Sequence, residues 1–67
     1  MSTYQLKNEE KQTSLVFIEM DDAMLIHKYV DTSKGRSFER HTLSVEDARL
    51  LYSMSIKEEG FKLCQDS

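Results

Sequence analysis

The sequence predicts a small α+β domain, in which an antiparallel β-meander of three to four strands is followed by one C-terminal α-helix packed on one sheet face. Three observations lead there. Residues 13–43 contain β-branched, aromatic and large apolar runs of strand length, separated by short polar stretches. Beyond them the spacing becomes helical, and Val45, Ala48, Leu51, Tyr52 and Ile56 fall on one stripe at about 100° per residue. Gly35 and Gly60, the two glycines, stand where a loop and a helix would end.

Residues 3–7 alternate, with Tyr4 and Leu6 on one side, and read as a short edge strand. Residues 8–12 are polar and read as a loop. Residues 13–20 form a second strand, and Asp21-Asp22 makes a two-residue turn. Residues 24–31 form a third strand and residues 36–43 a fourth, joined by a four-residue loop, Thr32-Ser33-Lys34-Gly35, with Gly35 last. That loop pairs Asp31 with Arg36, Tyr29 with Phe38 and Lys28 with Glu39. Each pair favours the register by roughly 0.2–1 kcal/mol, and a one-residue slip would set Lys28 against Arg40.

Ser44 then offers an N-cap hydroxyl, with Asp47 at the capping-box position. Glu46 and Asp47 suit the positive end of the helix dipole. The helix is expected over residues 45–59, with Gly60 at C′, and Phe61 and Leu63 folding back as a tail.

The chain has 67 residues, room for a single domain, 1–67. A domain of this size buries only about 60% of the surface its unfolded chain exposes, so it gains from a disulfide, a metal or a partner. With one cysteine, Cys64, an internal disulfide is excluded. That suits a reducing, cytoplasmic location. The N-terminal residues lack the apolar stretch of a signal peptide. The apolar runs 15–18 and 24–26 are too short to cross a bilayer, so no membrane partner is expected. Nine Lys and Arg stand against twelve Asp and Glu, a net charge of −3, which speaks against a general polyanion binder.

Both sheet faces are apolar. One carries Leu15, Phe17, Met24, Ile26, Val30 and Leu43, the other Val16, Ile18, Met20, Leu25, Tyr29 and Phe38. One helix covers one face. An uncovered apolar face marks an interface, unless the C-terminal tail and the N-terminal loop close over it. The expected function is therefore a noncatalytic interaction or regulatory module that forms a homodimer or docks on a protein partner. Its candidate interface residues are Val16, Ile18 and Met20 on the sheet, with Leu50 and Met54 on the outer side of the helix.

No catalytic, cofactor or metal residues are expected. His27, His41 and Cys64 are the soft metal ligands, and their spacing lacks the clustering of a zinc site. No glycine-rich phosphate loop or nucleophile–base pair is legible. One patch supports an alternative function. Residues 24–42 carry Lys28, Lys34, Arg36 and Arg40 against Asp31 and Glu39, a local +2, which leaves −5 elsewhere. Tyr29 and Phe38 are the candidate stackers of a single-stranded nucleic acid, and Lys28, Arg36 and Arg40 the candidate phosphate contacts.

The segment Leu43-Ser44-Val45-Glu46-Asp47-Ala48-Arg49-Leu50-Leu51-Tyr52, closing at Glu59-Gly60-Phe61, resembles a pattern in small uncharacterised bacterial proteins of β-meander-plus-helix form. In those, a strand runs into L-[ST]-x-E-x-A-R-x-L-[WY] and the helix ends at E-G-[WF]. The resemblance covers the last third of the chain, implies the same fold and a bacterial source, and brings no activity.

Overall fold

The computed structural model of the chain describes residues 2–64. Its elements are β1 (Thr3–Asn8), β2 (Thr13–Glu19), β3 (Met24–Thr32), β4 (Gly35–Leu43), α1 (Val45–Lys57) and β5 (Lys62–Cys64). The strands form one antiparallel sheet in the order β4-β3-β2-β1-β5. The α+β class and the C-terminal helix follow the sequence expectation.

The strand count exceeds it. Gly60 takes φ +76, and the chain turns back so that the Phe61 N–H donates to the Ser55 carbonyl at 2.9 Å. Phe61 then enters the core, and Lys62–Cys64 pairs with β1. The tail is thus a fifth strand, and β1 lies inside the sheet rather than at its edge. Three residues are too few to display a strand period, so no local pattern announces β5.

The β3–β4 register is the expected one, with Asp31 opposite Arg36, Tyr29 opposite Phe38 and Lys28 opposite Glu39. Pairing continues to Thr32 opposite Gly35, so the loop shrinks to Ser33-Lys34. The Thr32 hydroxyl secures this turn, donating to the Gly35 carbonyl at 2.8 Å and accepting from the Lys34 N–H at 3.3 Å. Gly35 has φ +130, a backbone state closed to side-chain-bearing residues.

Ser44 caps α1 as expected. It is extended (φ −65, ψ 159), and its Oγ accepts from the Asp47 N–H at 3.2 Å. The far end differs, since the helix stops at Lys57 and Gly60 stands two residues beyond the C-cap, Glu58. The inward stripe is Val45, Ala48, Leu51, Tyr52 and Ser55. Ser55 is 2% exposed, whereas Ile56, expected on that stripe, is 38% exposed. A small residue suits the position, because Phe61 returns beside it.

Alternation decides which face the helix covers. Along β2, Leu15 and Phe17 are buried while Val16 and Ile18 are half-buried, and along β3 Met24 and Ile26 alternate with Leu25 and His27 in the same way. The core is Leu6, Leu15, Phe17, Met24 and Ile26 from the sheet, with Ala48 and Phe61 above them. Tyr52 sets its ring edge-on to Phe17 and to Tyr4, at 5.7 and 6.2 Å between centroids. Full burial of a side chain such as Phe17, 1% exposed, contributes about 1.5–3 kcal/mol.

The second face stays open among the described residues. The tail extends the sheet edge instead of folding over it. The loop after β1 turns toward the helix terminus, where Asn8 Nδ2 donates to the Glu59 carbonyl at 2.6 Å and Lys11 meets the Glu59 carboxylate at 3.3 Å. Among the described residues, neither segment provides the cover that the sequence allows for.

Candidate functional site: the open sheet face

The pairing registers arrange the open face as a grid. One row crosses all five strands, from Lys62 to Lys7 to Ser14 to Tyr29 to Phe38. The next holds Cys64, Gln5, Val16, His27 and Arg40. A third holds Thr3, Ile18, Leu25 and Thr42. On the other side of the first row lies the Asp31–Arg36 pair.

The aromatic end of the first row is tightly built. The Tyr29 and Phe38 rings lie 5.1 Å apart at 38°, and the Arg36 guanidinium stands 5.7 Å from the Tyr29 centroid. Arg36 Nε also donates to Asp31 Oδ1 at 2.7 Å. That hydrogen bond, with the guanidinium charge and a smaller contribution from Lys7, holds the Asp31 carboxyl below its ordinary pKa despite some desolvation. His27 packs edge-on against Phe38 at 5.2 Å and against Tyr29 at 6.4 Å. Its Nε2 is enclosed and has no hydrogen-bond partner among the described residues. Phe38 remains 52% exposed, because β4 is the outer strand and gives its open-face side chains a neighbouring strand on one side only.

Among the described residues of the strands, Lys7, Arg36, Arg40 and Lys62 share the open face with one acid, Asp31, in a chain of net charge −3. Lys7 and Lys62 are directly opposed, an unfavourable like-charge pair. The acids Glu46, Asp47, Glu58 and Glu59, with Arg49 and Lys57 among them, belong to the helical segment on the other side of the sheet.

The residues singled out from sequence divide accordingly. Tyr29, Phe38, Arg36 and Arg40 come together on this face with Val16 and Ile18. Lys28 does not, because it stands opposite Leu15 and Glu39 on the helix side. Met20 lies past the last β2 pair, in the turn, where its N–H donates to the Ala23 carbonyl at 2.9 Å. Leu50 and Met54 are on the outside of α1, 62% and 51% exposed. His27 and His41 occupy opposite faces, and among the described residues no group of three His, Cys, Asp or Glu side chains could hold a metal ion. Lys7, Ser14 and Lys62 are members of the face that the sequence reading left out. The alternation of β1 could have placed Lys7 opposite Tyr4 and Leu6, whereas Lys62 depends on the pairing of the tail. No described helix is long and apolar enough to cross a membrane.

No family model matches the chain, and comparison with curated proteins and with solved structures finds no match.

Proposed function

We propose that this chain is a noncatalytic interaction module whose contact surface is the open sheet face, and that its partner is anionic and presents flat or apolar groups. One observation carries the reading: among the described residues of the strands, four cations and one acid share the uncovered face, although the whole chain is acidic. Cations gathered on one surface make a local positive field whatever the net charge. An anion bound at Lys7 and Lys62 relieves their repulsion. Val16, Ile18, Leu25 and the two rings supply apolar area beside the charges.

Self-association through this face is opposed by the same charges, since two copies set face to face bring cation against cation. Leu50 and Met54 alone fall well short of the roughly 800 Å² per partner that a stable interface buries. Free Cys64 suits a cytoplasmic module.

Retention on immobilised heparin tests the reading. At low salt the wild-type protein should be held and then released by salt, while Lys7→Glu/Arg40→Glu should pass through. Passage of the wild-type protein without retention would overturn it.

A further inference from the structure

We infer that the anionic partner is a single-stranded nucleic acid lying across the strands along the row Phe38–Tyr29–Ser14–Lys7–Lys62, with bases stacked on the two rings and phosphates on the cations. The inference rests on the reading of the open face as an anion-binding surface, and four features of the row carry it.

First, the row is continuous. Five side chains on adjacent strands, about 4.8 Å apart, span about 19 Å, the length of a short run of extended nucleotides. Second, its two ends differ in chemistry. Tyr29 and Phe38 offer π-faces, which any base can use, and Lys7 and Lys62 offer charge alone. Third, Ser14 stands between them with a small side chain, so a sugar–phosphate backbone can approach the sheet between the stacking and the charged ends. Fourth, Arg36 and Arg40 flank the rings on the same strand as Phe38, where phosphates on either side of a stacked base would lie.

Other anions fit less of this row. Duplex bases are stacked on one another, so their faces are closed to Tyr29 and Phe38. A run of Asp or Glu satisfies the lysines but brings no aromatic ring to Tyr29 and Phe38. The net charge of −3, which in the sequence weighs against nucleic acid, is a sum over the whole chain, whereas the row meets the local field of Lys7, Lys62, Arg36 and Arg40. The helical segment, with four acids against Arg49 and Lys57, lies on the far side.

The test is fluorescence anisotropy of labelled oligothymidine, with the same strand annealed to oligodeoxyadenosine and with polyglutamate as comparisons. Oligothymidine should bind at low salt, and the duplex and polyglutamate much more weakly. With three to four phosphates engaged, affinity should fall about 20- to 50-fold between ~50 and ~200 mM salt. Phe38→Ala should weaken binding about tenfold with an unchanged circular dichroism spectrum, and Phe38→Tyr should restore it. Phe38 is exposed, so its loss leaves the core intact. Unchanged affinity in Phe38→Ala, or equal binding of duplex or polyglutamate, overturns the inference. Heparin retention without oligothymidine binding overturns it and leaves the anionic-partner reading standing. Failure of both removes that reading as well.

Discussion

Asn8 ties the two ends of the chain together. It is 5% exposed, its Nδ2 donates to the Glu59 carbonyl, and its Oδ1 accepts from the Lys11 N–H at 3.0 Å. Asn8→Ala leaves both backbone groups unpaired and should cost about 1–3 kcal/mol, read as a lower urea midpoint with an unchanged slope. Asp31 is a different case, because its pair with Arg36 is exposed. Its folded pKa lies below the ordinary value, so the pair contributes above the ordinary aspartate range and is lost as pH falls through the lowered folded value. In an NMR titration of the carboxyls, Arg36→Gln should move the Asp31 midpoint upward. A midpoint that stays put would mean that the hydrogen bond does not form in solution. The sequence made the Asp31–Arg36 pair legible, because turn and partner are neighbours. It could not show Asn8, whose partner lies at the other end of the chain.

Elements with local causes were the most legible. Ser44→Ala removes the acceptor for the Asp47 N–H and should cost about 1 kcal/mol of helix stability, seen as an earlier denaturation midpoint. An unaltered midpoint would show that water serves the amide equally well. Gly60→Ala should cost about 1–2 kcal/mol through backbone strain alone, because φ is +76 and an added Cβ would meet only Asn8 Nδ2, at an ordinary 3.7 Å. If the cost is absent, the turn into β5 can relax without a left-handed residue. The helix end shows where residue type misleads. At about 100° per residue Ser55 lies roughly 20° from the buried Ala48 and Ile56 roughly 80°, so the period itself turns Ser55 inward, and a stripe drawn through apolar residues picks Ile56 instead. Strand β5 was unreadable for a different reason. Its pairing is made by backbone groups of β1, which leave no trace in side-chain pattern.

At the scale of the whole molecule, the helix divides the sheet into a covered apolar face and an open face of mixed aromatic, aliphatic and basic character. Both faces being apolar led the sequence reading toward a homodimer. The charge on the open face changes that balance. Cations brought face to face repel most at low salt, where the screening length exceeds about 10 Å. Sedimentation equilibrium at micromolar concentration and low salt should therefore give the monomer mass of 7.9 kDa. Twice that mass under those conditions would restore self-association as the leading function.

The sequence by itself determined the α+β class, the hairpin register of β3 and β4, the helix cap and the alternation that separates Phe17 from Val16. These rest on interactions between residues close in the chain, where side-chain type sets backbone preference directly. The tertiary structure alone decided that the tail becomes a strand and that Lys62 stands beside Lys7, whereas the parting of Lys28 from Arg36 and Arg40 already follows from the hairpin register. Membership of a face follows from strand pairing and register. A one-residue change in either moves a side chain to the opposite surface, so the charge of a binding face belongs to the assembled sheet and not to any segment of it.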